Sequence, residues 1–214
     1  MPMNAIATNT TERRRGRPRE FNHAIALGKM TLALMANGID GTSLDLLSNA
    51  SGLKRPSIRL AFGEKADIIY AAISHYRKTI KWALEPLSDK LLDRALRQTF
   101  GRLVSVFSAA GSPTNGCLLL LVMASAFAAK PKIRGAVNEA IREMTEAFEC
   151  RFRLSNDEAK LSLSPEILAE MSVAIAQLVA TKARAGASRG SLLRITDEFS
   201  RHIAAHCQES RIRL

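Results

Sequence analysis

The chain has 214 residues, with 31 Lys and Arg against 20 Asp and Glu, a formal net charge of +11, and 47% apolar residues. This composition excludes a disordered, collagen-like or disulfide-stapled chain, and the cationic excess favours nucleic acid, an anionic membrane or an acidic protein as partner. Cys117, Cys150 and Cys207 are far apart and form no CxxC pair, so neither a zinc site nor a disulfide framework is indicated and a reducing cytoplasm is expected.

Residues 1–20 begin polar and then turn basic, with Arg13, Arg14, Arg15, Arg17 and Arg19 placing five cations in seven residues. Such a run repels itself and is expected to be a disordered arm, and without an apolar segment behind it does not read as a secretory signal. A first helix is predicted from Asn22 to Asn37, capped by Asn22, ended by Gly38 in the left-handed region, with Leu27, Met30 and Leu34 on one face. A short second helix follows, with Thr42 and Ser43 at its start, Asp45 in its first turn, and Leu44, Leu47 and Ala50 inward. Gly52 breaks it.

A third helix begins near Arg55-Pro56, buries Ile58 and Phe62, and ends at Gly63. A fourth runs from Glu64 to Leu84, with Ile68, Ile69, Ala72, Ile73 and Tyr76 buried. Beyond Pro86, single helices are predicted over Leu87–Ala110, Asn115–Ala129 and Pro131–Leu154. The second of these is almost wholly apolar and is expected to be buried on all sides. Its stretch from Cys117 to Ala129 is 13 residues, short of the roughly 20 that span a bilayer. A polar loop over 155–164 precedes two more helices, Pro165–Ala185 and Ser191–Cys207. No strand pattern, repeat or hairpin signal competes, so the fold class is all-α.

Charge divides the chain. Residues 1–82 carry 13 Lys/Arg and 6 Asp/Glu, a net +7, and the longer remainder carries a net +4. Within the first part, Leu44 to Phe62 has the length and order of a helix-turn-helix, whose second helix enters the DNA major groove. The outward face of that helix carries Lys54, Arg55, Ser57 and Arg59 and no acid. The hydroxyls of Thr42 and Ser43 stand at a helix N-terminus suited to a phosphate, and Lys65 is placed to hold a second one. The arm around Arg15 and Arg17 either enters a narrow minor groove or adds only non-specific attraction.

The stretches Gly-Arg-Pro-Arg-Glu-Phe (16–21), Asn-Gly-Ile-Asp-Gly-Thr-Ser-Leu-Asp (37–45) and Gly-Leu-Lys-Arg-Pro-Ser-Ile-Arg-Leu-Ala-Phe-Gly-Glu-Lys (52–65) resemble the tetracycline-repressor (TetR/AcrR) family of bacterial transcription regulators. Looser likenesses to regulatory domains of one subgroup lie at 116–119 and 183–188. The resemblance implies an all-α homodimer that binds DNA through an N-terminal three-helix domain. It further implies repression that is relieved when a small ligand enters the larger C-terminal domain. Residues 1–20 would be the arm, 21–66 the DNA-binding domain, 64–84 the connecting helix, and 85–214 the ligand-binding and dimerisation domain. Carried over by position, Thr42, Ser43, Ser57, Arg59 and Lys65 would contact phosphate, and Lys54, Arg55 and Pro56 would face base edges. Arg59 departs from the family's usual aromatic residue, and Lys54 from its usual Ser or Thr cap.

In the larger part, Phe100, Val104, Phe107, Leu121, Phe127, Met144 and Phe148 are candidates for a ligand pocket. Ile167, Met171, Ala174, Ile175 and Leu178 form one candidate dimer stripe, and Leu192, Thr196, Phe199 and Ile203 another. His202 and His206 beside Cys207 have metal-binding spacing, but a polar helix face is the simpler reading, and no metal or cofactor is expected. Cys117 reads as a structural thiol. No catalytic constellation stands out, so an enzyme is not expected. The expectation is a cytoplasmic DNA-binding repressor acting as a homodimer, with a small-molecule effector and no membrane partner. The alternative is an adaptor that uses the arginine arm to bind an anionic membrane or acidic protein.

Overall fold

Local side-chain chemistry starts and stops the first helices where the sequence marks them. A computed structural model describes residues 21–108, 112–158 and 163–212. Helix α1 spans His23–Asn37; the Asn22 side chain accepts from the Ile25 N–H at 3.1 Å. Met30 and Leu34 are fully buried and Leu27 half-buried. Gly38 has positive φ (76°) but ψ of 156°, so the chain leaves α1 extended rather than in the left-handed helical well. Helix α2 (Leu44–Ser51) is capped by Ser43 and closed by Gly52 in the left-handed region, φ 74° and ψ 12°. Helix α3 (Arg55–Phe62) starts after Lys54, which makes no side-chain cap, and ends at Gly63. In α4 (Lys65–Leu84), Glu64 and Asp67 form a capping box, and all five predicted apolar residues are buried.

Past α4 the helices depart from expectation at three places. Pro86 lies in a 3₁₀ turn, Glu85–Ser88, and the Asp89 carboxylate then accepts the Leu91 N–H at 2.9 Å. This local bond delays α5 to Leu92–Phe107. The apolar stretch after Gly116 is not one buried helix. Helix α6 is only Leu118–Met123, because Ser125 turns its hydroxyl back to the Val122 carbonyl (2.7 Å) and the chain continues as a 3₁₀ turn, Ala126–Ala129. Leu118, Leu119 and Val122 are buried while Met123, Ala124 and Ala126 face out. Helix α7 (Pro131–Glu158) runs into the predicted loop, followed by α8 (Pro165–Arg184) and α9 (Arg189–Ile212).

The described residues thus form nine α-helices, three in an N-terminal helix-turn-helix unit and the rest in a larger helical body that α4 joins to it. No helix among them is long and apolar enough to cross a membrane. The body closes around stacked phenylalanines: Phe100 and Phe148 lie 5.6 Å apart, Phe148 and Phe152 6.5 Å apart, and Phe199 meets Phe100 edge-on at 5.6 Å. Buried Arg151 ties α7 to the start of α5 through the Lys90 carbonyl, at 2.8 Å.

Candidate nucleic-acid interface

One buried side chain orients α3. Ile58 is fully buried in the core where α3 meets α2 and α4, and the ring of Phe62 lies against His23 and Phe21, with centroids 4.9 and 6.1 Å away. With that side turned inward, Lys54, Arg55, Pro56, Ser57 and Arg59 are all exposed. They share the surface with Ser43, whose hydroxyl also accepts the Leu46 N–H. Six of the predicted contact residues are therefore exposed on the helix-turn-helix unit.

Two predicted contacts are placed differently. Thr42 is fully buried and its hydroxyl donates to the Gly38 carbonyl at 2.6 Å, so the side chain is turned away from that face. A β-branched residue at this entry turn packs its methyl inward and satisfies its hydroxyl locally. Lys65 is half-buried; its Nζ donates to the Asp40 carbonyl at 3.1 Å and sits 5.0 Å over the Phe127 ring. Burial pulls the Lys65 ammonium below its ordinary pKa, partly countered by the Asp40 charge. The arm with Arg15 and Arg17, and the whole of 1–20, lies outside the described residues.

The sequence reading missed two features. Arg55 pairs with Asp45 of α2 and Arg59 with Glu64, at 3.4 Å in the latter case, so acids do stand beside the cationic face although none is on α3. Leu60 is 91% exposed. At about 100° per residue it lies nearly opposite Ile58 and Phe62, which was the available signal.

The body holds the remaining candidates. Phe100, Val104, Phe107 and Phe148 are sealed in the core, and Leu121 and Phe127 pack against it half-buried. Met144 instead borders a cleft of about 480 Å³ between α4 and α7, with Ile80, Leu84, Ala140 and Ala147 as its apolar part and Arg77, Lys81, Glu85, Glu143 and Glu146 at its edges. On α8, Ile167, Met171 and Leu178 are 52, 40 and 42% exposed, with Ala174 exposed and Ile175 half-buried beside them. The α9 stripe faces the other way. Leu192, Thr196 and Ile203 are buried and Phe199 packs on Phe100, because α9 needs that face to cover α5. Burial pushes the Cys117 thiol up from its ordinary pKa, which keeps it protonated and poorly nucleophilic. No cluster of three or more His, Cys, Asp or Glu among the described residues is placed to hold a metal, and the side chains of His206 and Cys207 lie outside that description.

No protein-family model matches the chain. A cysteine variant of the TetR-family transcriptional regulator CifR, solved with a 26-bp double-strand operator DNA, superposes with a TM-score of 0.76. The two share 23% identity, over 86% of this chain and 98% of that one. This is the TetR-family fold. A TetR-family regulator from Streptomyces coelicolor superposes with a TM-score of 0.73 at 16% identity, over 86% of this chain and 94% of its own. In sequence, the chain is 28% identical over 201 residues to the HTH-type transcriptional repressor ComR of Escherichia coli (strain K12), covering 89% of this chain and 94% of that protein. The TetR-type architecture, an N-terminal helix-turn-helix followed by a larger helical domain, is thus present along the described chain.

Proposed function

We propose that the chain is a DNA-binding transcriptional repressor of the TetR type, acting in the cytoplasm as a homodimer on a pseudo-palindromic operator. The observation that carries this reading is α3 itself: a helix anchored by Ile58 whose outward flank is exposed, cationic and centred on Leu60. Ser43, Ser57 and Arg59 are assigned to phosphates, Lys54 and Arg55 to base edges as donors, and Pro56 and Leu60 to apolar contact such as a thymine methyl. Thr42 and Lys65 support the entry turn and α4 from inside. The likeness to regulators, one of them solved with operator DNA, supports the same reading, and no relative named above is an enzyme.

The exposed α8 stripe is the surface assigned to the second copy, since two recognition helices must be held a fixed distance apart to read paired half-sites. The α4–α7 cleft is assigned to a small-molecule effector, because α4 also carries α3. The test is fluorescence anisotropy with duplex from upstream of the chain's own gene, against random duplex and anionic vesicles. The reading predicts binding tighter to the cognate duplex by about a thousandfold or more. Equal binding to random duplex, or binding to vesicles alone, refutes it in favour of a basic adaptor.

A further inference from the structure

The surface around α3 is cationic, yet a carboxylate stands on it. Asp45, in the first turn of α2, is more than half exposed, as is Arg55. Its Oδ1 accepts from Arg55 Nε, and its Oδ2 pairs with Arg55 Nη2. An exposed ion pair adds little to stability, and an acid beside a duplex repels phosphate. Asp45 also favours the N-terminal dipole of α2, but that role needs no partner, and neither folding nor long-range attraction accounts for its pairing with Arg55.

Its geometry does. A guanidinium carries five N–H donors in a planar fork. Side-on pairing through Nε and Nη2 engages two of them with the carboxylate. The three that remain, one on Nη2 and two on Nη1, lie at the end of the side chain. A parallel pair of donors at that end is what guanine O6 and N7 accept in the major groove. The pairing also restricts a long, flexible side chain before DNA arrives, which lowers the ordering cost of binding. Because Asp45 and Arg55 stand on different helices, the contact fixes the guanidinium relative to the whole helix-turn-helix and not to α3 alone.

Resting on the DNA-binding reading, we infer that Asp45 is a positioning residue that holds Arg55 end-on to read one guanine in each half-site. Its signature is a split in sign. Removing the Asp45 charge removes a repulsion, so binding to random duplex is maintained or strengthened, while discrimination at one base pair falls. A residue that merely supports the fold would weaken both together.

The full-length wild-type chain is first used to enrich its preferred duplex from a random-sequence library. Each G·C pair of that duplex is then changed to A·T in turn, and affinities are measured for wild type, Asp45→Asn, Arg55→Lys and the double variant. Arg55→Lys keeps the charge but loses the fork, so it locates the guanine independently of any effect of Asp45→Asn on α2. The expected result is that Asp45→Asn loses about five- to tenfold in discrimination at the pair Arg55→Lys identifies. Random duplex is then bound at least as tightly as by wild type, and the double variant loses no more than Arg55→Lys alone. Unchanged discrimination at that pair, or a loss spread evenly over all positions, overturns the inference while leaving the DNA-binding reading intact. A wild-type chain that enriches no sequence refutes that reading and this inference with it.

Discussion

Arg59→Ala offers a quantitative check on which cations meet the DNA backbone. Arg59 is exposed on the flank of α3 and pairs with Glu64, at 3.4 Å between side chains that are 61 and 67% exposed. Such a pair is worth about 0–1 kcal/mol, so the contact opposes transfer of Arg59 to a phosphate by about fivefold at most. Each phosphate neutralised on duplex DNA adds about 0.9 to the slope of log affinity against log salt, so a dimer that loses one contact per protomer loses about 1.8. From about 50 to about 200 mM salt, wild-type affinity should therefore fall about twelvefold more than that of Arg59→Ala. Fluorescence anisotropy across that range, on the enriched operator and on a scrambled duplex, measures both slopes. The loss should be equal on the two duplexes, because a phosphate carries no sequence information. An unchanged slope with a loss confined to the operator would assign Arg59 to a base. No loss on either duplex would mean that this flank of α3 does not face DNA.

Other substitutions test separate steps. Ile58→Ala empties the fully buried site that sets the angle of α3; a loss of about 2–5 kcal/mol in folding stability is expected by denaturant titration, with operator binding falling in parallel, and wild-type stability would contradict that anchoring role. Gly52→Ala forces a side chain into a left-handed conformation at φ 74° in open space, so the cost is backbone strain of about 1–2 kcal/mol without a clash; an unchanged melting temperature would show that the turn relaxes. Leu178→Lys places a charge in the exposed stripe of α8. Sedimentation should then show monomers that retain the helical circular-dichroism spectrum, and a dimer of wild-type affinity would move the interface elsewhere.

The helix-turn-helix was legible because its determinants are local. Asn22 and Ser43 cap within three residues of themselves, Gly52 closes α2 through a single backbone conformation, and Ile58 shows its burial by spacing alone. What the sequence hid depends on which surface meets which. Both α8 and α9 carry an apolar stripe, and periodicity cannot say that α9 spends its own on α5 while α8 leaves part of its own exposed. The phenylalanines at 100 and 148 likewise satisfy a pocket pattern and a core pattern equally, and only their contact at 5.6 Å decides between them. The break at Ser125 was readable in principle, but a run of leucine and alanine outweighs a single hydroxyl until its bond to Val122 is seen. The pairing of Asp45 with Arg55 escaped notice because the two stand ten residues apart on different helices.

The contacts between α4 and α7 suggest how events in the body would reach α3. Lys132 lies 3.7 Å from Asp67 and 4.3 Å over the Tyr70 ring, and farther along Arg77 donates to Glu139 at 3.1 Å and to Glu143. Residue numbers rise together on both helices, so the two run parallel, clasped from Asp67 to Arg77 of α4. The cleft begins at the Arg77–Glu143 end of that clasp and opens beside Ile80, Lys81 and Leu84. At 1.5 Å per residue the cleft lies about 15 Å along α4 from the middle of the clasp, and α3 is joined to the opposite end of α4 through Gly63 and Glu64. On the proposed reading, a ligand wedged between α4 and α7 would turn α4 about the clasp and move α3 in the opposite sense. Asp40, whose carboxylate accepts the Ala126 N–H at 3.2 Å, and Arg184, which donates to the Met35 carbonyl at 2.8 Å, resist that rotation from the body side. Hydrogen bonds to base edges tolerate displacements of only a few tenths of an ångström. If Arg55 reads a guanine as inferred above, a small tilt at the cleft would take it out of register while leaving every helix intact.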